Sequence, residues 1–161
     1  MRFLTISVIF LVSTIRPGYG QCSRMQKVSP PGVRLIITAE PTPLTVADPV
    51  VVHMSFENSS KQTFSLMDRF AERDFEVHVQ DSKGKEAPLT EYGEKIRMSP
   101  YNDTMMHIIS FSPGDKIGAD EDIRKVYKLE IPGTYSVYAC HLIYKVGSVY
   151  SDKIEIIVKN Q

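Results

Sequence analysis

The side chains best suited to chemistry in this chain are its two cysteines, Cys22 and Cys140. Two thiols can form a disulfide, which persists in oxidising compartments, or stay apart as two free thiols. The sequence places no pair of histidine and acid beside Cys140, as an activated nucleophile would need. We therefore favour a structural bridge over a nucleophile, and the two free thiols remain the alternative.

The histidines are a second candidate set, and there are four of them: His53, His78, His107 and His141. Methionine adjoins two of these histidines, and imidazole with thioether is a ligand set that suits copper. The two stretches are His53-Met54 and Met105-Met106-His107. Because adjacent residues of a strand point to opposite faces, His53 and Met54 cannot both bind one ion without a bulge. Copper binding is therefore the less favoured alternative.

Carboxylates gather in two stretches of the chain, with the members Asp68, Glu72, Asp74, Asp115, Asp120, Glu121 and Asp122. Neither stretch has the alternating spacing around a central glycine that a calcium loop needs, so we interpret both as solvated surface charge. The chain has no G-x-S-x-G motif, no H-E-x-x-H motif and no glycine-rich phosphate loop. The sequence thus offers no catalytic residue, no cofactor site and no metal site, and it predicts a protein that is not an enzyme.

The first 20 residues, MRFLTISVIFLVSTIRPGYG, have the layout of a secretory signal peptide. Arg2 gives a basic start, an apolar stretch follows, and Pro17 with two small glycines gives a cleavage zone that ends at Gly20. The apolar stretch is shorter than the roughly 18 residues that a membrane span needs. We predict cleavage after Gly20 and export to a periplasm or to the outside, with an uncleaved anchor as the alternative.

The charge balance and the polar segment after residue 20 describe the mature chain. The sequence has 19 basic and 19 acidic residues, and Arg2 and Arg16 lie in the signal peptide, so the mature chain is slightly acidic. It offers no electrostatic case for nucleic acid or for an anionic membrane. Residues 21–32 are polar with a Pro-Pro pair and predict a flexible leader, which leaves residues 33–161 as one β-sandwich domain.

Short β-rich runs separated by Pro, Gly, Asn and Asp dominate this domain, and no run predicts an amphipathic helix of more than about two turns. Six of the predicted strands have clear bounds and cover residues 33–39, 49–57, 75–80, 104–111, 133–144 and 148–159. Asp81-Ser82-Lys83-Gly84 predicts a hairpin-type turn, and residues 91–100 predict a surface loop. Residues 116–129 are the least regular, and residues 120–122 in them could open one helical turn.

About seven strands at this spacing predict two antiparallel sheets packed face to face. The period-two pattern assigns one set of residues to a common core: Val50, Val52, Phe56, Phe75, Val77, Val79, Tyr135 and Val137. The segment IPGTY predicts a corner between the sheets, in which Gly133 has a positive φ in a type II turn. In this corner the Tyr135 hydroxyl bonds to a backbone carbonyl of the preceding connection. The sequons that begin at Asn58 and Asn102 are interpreted as turn residues.

A family resemblance rests on five ordered segments: VRLIITAEPTPLTVADPVVVHMSFENSS, RDFEVHVQDSKGKEAPLTEYG, FSPGD, IPGTYSVYA and SDKIEIIV. Together they resemble a group of exported bacterial proteins with an immunoglobulin-like β-sandwich. They are similar, more distantly, to the sandwich of the bacterial intracellular proteinase inhibitor family. The resemblance implies an immunoglobulin-like antiparallel fold and an exported location. It brings no catalytic residue, and the reactive loop of the inhibitors has no counterpart here.

The predicted function is therefore that of a non-enzymatic exported β-sandwich whose loops or exposed sheet face bind another macromolecule, a protein or a polysaccharide. A protease-inhibitor-like module is the first alternative, and periplasmic copper binding is the second. No stable membrane anchor is expected after processing. The sequence leaves two roles open for five tyrosines, packing in the core or contact with a partner: Tyr92, Tyr101, Tyr138, Tyr144 and Tyr150.

Overall fold

The computed structural model describes residue 22 and residues 25–40, 43–69, 71–98 and 107–160. In this part of the chain the strands are β1 (Val33–Ala39), β2 (Leu44–Thr45), β3 (Val51–Asn58), β4 (Phe64–Asp68), β5 (Phe75–Gln80), β6 (His107–Phe111), β7 (Lys116–Asp122), β8 (Gly133–Ile143), β9 (Gly147–Tyr150) and β10 (Ile154–Lys159). Two short helices accompany them, α1 (Ala71–Asp74) and α2 (Glu91–Met98). The predicted all-β sandwich is confirmed, with ten strands in place of about seven.

Several predicted features lie outside the described residues. They are the signal peptide over residues 1–20, residues 104–106 of a predicted strand, Tyr101 and the sequon at Asn102. Among the described residues, no helix combines the length and the apolar character that a membrane crossing requires.

One sheet has three antiparallel strands in the order β1-β3-β7. In β3 every second residue is buried, because a strand that covers a core turns alternate side chains inward. Phe56 pairs with Leu35 on β1 and with Ile117 on β7, so these three side chains share the inner face. The sheet thus covers the core with one apolar face, and its other face carries mostly polar side chains.

The second sheet has seven strands and is built around β8, the longest strand of the described chain. Along one edge β8 pairs with β9 and then with β10, and along the other edge it pairs with β5 and, at Ile143, with β4. Strand β2 adds to β10 in parallel, and β6 adds to β4 in antiparallel orientation. Most of this sheet therefore depends on the backbone of a single strand.

The predicted core is confirmed in full. All eight residues assigned to it are buried, and they belong to one cluster that joins the inner faces of the two sheets: Val50, Val52, Phe56, Phe75, Val77, Val79, Tyr135 and Val137. Stacked rings connect the sheets directly, because Phe56 of the small sheet lies 5.0 Å from Phe111 and 4.6 Å from His141 of the large sheet, measured between ring centroids.

The predicted strand over residues 148–159 is interrupted by a bulge. Tyr150 pairs with Cys140 whereas Ile154 pairs with Val137, so this edge holds one residue more than the matching stretch of β8. Ser151 closes the gap, since its hydroxyl accepts a hydrogen bond of 2.9 Å from the Ala139 N–H. The extra residue resets the alternation of facing, a known effect of bulges, so Tyr150 faces outward while Ile154 faces inward.

The prediction of a surface loop over residues 91–100 is wrong for residues 91–98, which form α2. Thr90 caps this helix, because its side-chain oxygen accepts a hydrogen bond of 3.0 Å from the Gly93 N–H. Glu91 and Lys95 form an ion pair of 2.7 Å one turn apart. A cap and a pair of this kind hold a short helix that has no continuous apolar stripe.

Residues 120–122 are strand rather than helix, because β7 pairs with β3 as far as Asp122. A single 3-10 turn begins one residue later, over Ile123–Lys125. Its cap is Asp122, whose carboxylate accepts a hydrogen bond of 3.2 Å from the Arg124 N–H. The predicted helical turn is thus present, but it begins after residues 120–122, and the last of these acidic residues caps it.

The IPGTY corner is half confirmed. The Tyr135 hydroxyl donates a hydrogen bond of 2.6 Å to the Ile131 carbonyl, in the preceding connection as predicted. The predicted positive φ at Gly133 is wrong, because Gly133 is absent from the described residues with positive φ. Gly133 instead begins β8 and pairs with Val158 of β10, so the type II turn does not form.

The described part of the predicted leader lies against the large sheet. The Val28 N–H donates a hydrogen bond of 2.9 Å to the Ser148 carbonyl, and the Ser148 N–H donates one of 2.8 Å to the Gln26 carbonyl. Lys27 and Ser148 form a parallel bridge between these bonds. The segment therefore extends the edge of β9, in contrast to the flexible leader that its composition suggested.

We predict that Phe75→Ala lowers the free energy of unfolding by about 3 to 5 kcal/mol, because it removes a buried ring from the inner face of β5. Phe75 is 4% exposed and its ring lies 4.8 Å from that of His141. Urea unfolding measures the change. Ile131→Ala is the control, since Ile131 is 74% exposed and should change stability by less than about 0.5 kcal/mol. Equal effects of the two substitutions would show that the facing of β5 is wrong.

We predict opposite outcomes at the two ends of the corner. Tyr135→Phe keeps the ring and deletes the bond to the Ile131 carbonyl, so it should cost about 0.5 to 1.5 kcal/mol of unfolding free energy. Gly133→Ala should be neutral or stabilising, because its φ suits alanine and no atom lies within 4 Å of the added Cβ. Thermal melts of both variants test this, and a clear loss of stability in Gly133→Ala would restore the type II turn.

Candidate functional site

Cys22 and Cys140 form a disulfide that joins the N-terminal segment to β8. The two Cα atoms lie 6.3 Å apart, and the two residues are separated by 118 positions in the sequence. The bridge is buried and reinforced, because the Tyr150 hydroxyl donates a hydrogen bond of 3.1 Å to the Cys22 carbonyl. The bridged alternative is the one present in the structure, and the cysteines serve as a cross-link.

A carboxylate lies beside this bridge on the same face of the sheet. Glu76 of β5 pairs with Cys140 of β8, and it accepts a hydrogen bond of 3.2 Å from the Cys22 N–H. Glu76 is only 5% exposed although it stands on the outer face of the sheet. A buried carboxylate requires charge partners or hydrogen bonds, and Glu76 has both.

Arg97 of α2 supplies the opposite charge. Its Nη1 lies 2.5 Å from Glu76 Oε1, and its Nη2 donates hydrogen bonds to the Val77 carbonyl and, at 2.9 Å, to the Tyr127 hydroxyl. The Arg97 side chain is 7% exposed. One guanidinium therefore ties α2 to a carboxylate and to the backbone of β5, in the fork geometry that arginine favours.

His78 extends the same cluster. Its Nε2 lies 3.2 Å from Glu76 Oε1, and its Nδ1 lies 3.2 Å from Glu86 Oε1. Glu86 in turn accepts a hydrogen bond of 2.8 Å from the Tyr127 hydroxyl. We call this set, consisting of Glu76, His78, Glu86, Arg97 and Tyr127, the buried charge network, although its outermost member, Glu86, is exposed.

The network moves the pKa values of its acids and its histidine apart. Burial alone would lower the pKa of His78, but the hydrogen bonds with Glu76 and Glu86 outweigh it and raise that pKa. Burial alone would raise the pKa of Glu76, but the hydrogen bond with His78 and the charge of Arg97 outweigh it and lower that pKa. Each group is thus stabilised in its charged form, so the network is held by mutual attraction.

An aromatic row adjoins the network on the outer face of the large sheet. His78 stacks on Tyr138 with centroids 4.8 Å apart, and Tyr138 lies 6.3 Å from Tyr150. Lys153 lies 5.3 Å from the Tyr138 centroid and Lys27 lies 5.2 Å from the Tyr150 centroid. We call these three rings, His78, Tyr138 and Tyr150, the aromatic row. Both tyrosines are partly exposed, so the row combines packing with access to solvent.

The four histidines lie on four different strands, β3, β5, β6 and β8, as the sequence predicted. His53 is partly exposed, and its hydrogen bond with Asp120 raises its pKa. Its neighbour Met54 is buried on the opposite face, so the two side chains do not share an ion. Among the described residues, Cys22, Glu76 and Cys140 are the group of three with metal-ligand atoms close together, and both of its cysteines are bridged.

The interpretation of the acidic stretches as solvated charge is wrong at two positions. Asp74 is 9% exposed and lies 2.6 Å from the Arg69 guanidinium, whose side chain is also buried. Glu121 is 6% exposed, and burial, followed by the charge of Glu72, raises its pKa to about 7. Both acids lie at the edge of the core, where a simple count of charges along the chain cannot locate them.

The interpretation of Asn58 as a turn residue is wrong, because Asn58 is the last residue of β3 and its side chain closes the turn that follows. Asn58 is 1% exposed, and its side-chain amide donates hydrogen bonds to the carbonyls of Gln62 and Phe111, at 2.8 and 2.9 Å. Its side-chain oxygen accepts hydrogen bonds from the backbone and the hydroxyl of Ser60. These four bonds fully occupy the side chain in closing the turn after β3.

Sequence reasoning missed Arg97, Glu86 and Tyr127 as members of a site. Arg97 was placed in a loop, and nothing in its neighbours along the chain indicates that it reaches β5 from 21 positions away. The alternation in FEVHVQ did place Glu76 and His78 on one face of β5. That pattern was the one available signal. Two polar residues on one face of a strand could have indicated a polar cluster on that face.

No protein-family model and no curated protein matches this chain. Among solved structures, a β-glucosidase from Erythrobacter marinus aligns with a TM-score of 0.42 and 12% sequence identity, over 79% of this chain and 16% of the enzyme. A β-glucosidase from Listeria innocua in complex with glucose aligns with a TM-score of 0.42 and 11% identity, over 80% of this chain and 16% of the enzyme. This chain spans about a sixth of the length of these enzymes, and a likeness this weak supports no inference about fold or activity.

We predict that the disulfide contributes about 4 to 5 kcal/mol to the free energy of unfolding, because it closes a loop of 118 positions in the unfolded chain. Peptide mapping without reductant should recover a peptide with Cys22 linked to one with Cys140. The double variant Cys22→Ala/Cys140→Ala should lose this stability, and reductant should destabilise the wild type but leave the double variant unchanged. Two free thiols in freshly oxidised protein would remove the cross-link.

We predict that His141 makes the protein less stable at acidic pH. Burial lowers its pKa from 6.5 to about 4, so below pH 6.5 the unfolded chain takes up a proton that the folded chain refuses. The contribution of His141 is complete above pH 6.5, and about 3 kcal/mol of it is lost as the pH falls to about 4. Unfolding free energies of wild type and His141→Phe test this, because the variant lacks the titrating group. If the difference between the two proteins does not change with pH, the imidazole is not held neutral.

Proposed function

We propose that this chain is a non-enzymatic exported β-sandwich that binds another macromolecule, through the outer face of its large sheet. The observation that carries this proposal is the aromatic row with its two lysines. Tyr138 and Tyr150 are partly exposed, with Lys153 over the ring of Tyr138 and Lys27 over that of Tyr150, so the face offers the Tyr138 hydroxyl, ring edges and ammonium groups together.

Export is part of the proposal and has two supports. The first 20 residues have the pattern of a signal peptide. The disulfide between Cys22 and Cys140 suits an oxidising compartment, where such bridges persist. A cross-link that closes so long a loop also disfavours the unfolded chain, which benefits a protein that works outside the cytoplasm.

The face is rigid, which favours recognition. Beside the row on the same face, the disulfide joins β8 to the N-terminal segment, and the buried charge network joins β5 to α2. His78 belongs both to the network and to the aromatic row, so contacts within the network hold one end of the row in place. Rigid aromatic side chains bind with little loss of conformational entropy.

Although the mature chain is slightly acidic as a whole, Lys27 and Lys153 place positive charge on this face, which favours a polysaccharide with acidic groups over a protein partner. The core of a protein interface is depleted of charge and rich in large apolar side chains. On this face a lysine ammonium group lies over the ring of each of the two tyrosines, Tyr138 and Tyr150. The Lys153 ammonium also donates a hydrogen bond of 3.0 Å to Gln80. The most exposed of the large apolar side chains that the structure describes, Ile131 with 74% exposure, lies in the connection before β8 and not on this face. Lysines and tyrosine hydroxyls suit the carboxylates and hydroxyls of an acidic glycan.

The test is titration of the purified mature protein with alginate, a polymer of uronic acids, and with dextran, a neutral polymer. Tyrosine fluorescence reports binding, since the chain has no tryptophan and seven of its eight tyrosines follow residue 20. We expect alginate to bind more tightly than dextran and to weaken with added salt. Tyr138→Leu should reduce alginate affinity by about tenfold or more, as loss of a central tyrosine does at other interfaces.

Tyr144→Leu is the matched control. Tyr144 also has a lysine over its ring, with Lys145 at 5.1 Å, but it lies beyond the C-terminal end of β8, six residues after Tyr138. The control should keep the affinity of the wild type, and both variants should have the same urea midpoint within error. Equal losses in the two variants, or no binding of either polymer, would contradict the proposed face. Inhibition of a protease at stoichiometric concentration would favour the protease-inhibitor alternative instead.

A further inference from the structure

A cleft of about 170 Å³ lies between the two sheets, on the side away from the aromatic row. The small sheet contributes the part of β7 around Ile117 and Ala119, and the large sheet contributes Phe75, Ile109 and His141. Asp74, at the end of α1, also lines it. The cleft is therefore separate from the face to which macromolecule binding is assigned, and its own role is independent of that function.

His141 is the unusual member of this lining. It is 1% exposed, and its ring stacks on Phe56 at 4.6 Å and meets Phe75 edge-on at 4.8 Å. Its Nδ1 lies 3.3 Å from the Leu142 carbonyl, but its Nε2 has no hydrogen-bond partner among the described residues. A buried polar atom without a partner costs free energy, so it needs an explanation, and a ligand that bonds to it is one.

The hydrogen bond at Nδ1 decides which chemistry Nε2 offers. A carbonyl oxygen can only accept, so Nδ1 must carry the ring hydrogen in its contact with Leu142. In a neutral imidazole the other nitrogen is then an acceptor. Burial keeps the ring neutral, since it lowers the pKa of His141 to about 4. Nε2 thus presents a lone pair, and a group that fits it must donate a hydrogen.

Apart from Asp68, which lines the cleft and is exposed, the rest of the lining argues against a charged occupant. Asp74 is already occupied by Arg69, whose backbone N–H and guanidinium contact its two carboxylate oxygens at 2.9 and 2.8 Å. The side chains of Phe75, Ile109 and Ile117 are apolar and cannot solvate a charge. The volume of the cleft is close to that of an engineered apolar cavity of about 150 Å³ that takes up benzene. The occupant is therefore small and uncharged.

We propose that this cleft is a binding site for a small uncharged molecule with an apolar ring and one hydroxyl group. The hydroxyl donates a hydrogen bond to Nε2 of His141. The ring packs against Phe75 of the large sheet and against Ile117 and Ala119 of the small sheet. The site uses the space between the sheets, so occupation by a ligand also adds contacts between them.

Phenol and toluene are the probes, because they have the same size and differ only in the hydroxyl group. Each is titrated at low millimolar concentration into isotopically labelled mature protein, and amide shifts are followed by NMR. We expect saturable shifts for residues on β7 and at the start of β5, and affinity for phenol about three- to tenfold higher than for toluene. The ratio of the two affinities reports the hydrogen bond independently of the fit of the ring.

Two variants test separately the hydrogen bond to Nε2 and the volume of the cleft. His141→Phe keeps the stacked ring and removes Nε2, so the preference for phenol should fall to about one. Ala119→Leu fills the cleft and should abolish binding of both probes, which keeps the test decisive if His141→Phe does not fold. Ala47→Leu, at an exposed turn position outside the lining, is the control and should bind as the wild type does.

Three results would overturn the site. They are an absence of saturable shifts with either probe, equal affinity of the wild type for phenol and toluene, and unchanged binding in Ala119→Leu. Shifts that map to the aromatic row rather than to β7 would likewise place the binding elsewhere and refute it.

Discussion

The alternation of β8 is the constraint on which the rest of the structure depends. This one strand pairs with β4, β5, β9 and β10, so its facing sets the facing of most of the large sheet. Its odd-numbered residues, among them Tyr135, Val137 and His141, turn into the core, while Tyr138 and Cys140 turn outward. A shift of the register by one residue would exchange these two sets. The core and the disulfide are thus two consequences of the same backbone geometry.

The buried charge network shows how a sheet face can hold Arg97 and Glu76 as ions while keeping both from solvent. Removing Arg97 and Glu76 from water costs several kcal/mol per ion, which one contact between them does not fully offset. Several contacts together offset this cost. The Arg97 guanidinium bonds to a carboxylate, a carbonyl and a hydroxyl, and Glu76 also contacts His78 and the Cys22 N–H. Such a network fixes one arrangement of helix, strand and N-terminal segment, because any other arrangement leaves a buried charge unpaired.

The sequence predicts the parts of this fold that depend on local pattern. The strict alternation in β3 and β5 located the core faces, and Phe56 and Val77 are buried as expected. It does not predict features that depend on distant partners. A cap at Thr90 is too local a signal to reveal that Arg97 reaches across to β5, and no pattern in residues 25–28 shows that they bond to Ser148. The predicted φ of Gly133 was wrong for a related reason. Pairing with β10, and not the Pro-Gly dipeptide, determines the backbone conformation at the start of β8.

The bulge after β9 explains why one edge of β8 can serve both faces of the sheet. If the strand ran without a bulge from Tyr150 to Ile154, these two residues would point the same way, because they are four positions apart. Either the tyrosine would then enter the core or the isoleucine would leave it. The bulge, which Ser151 fills with its bonds to Ala139, turns β10 so that Ile156 and Val158 are buried while Tyr150 stays beside Tyr138. The aromatic row therefore depends on one extra residue at this point, and a bulge that re-aims side chains is a feature that a functional face can use.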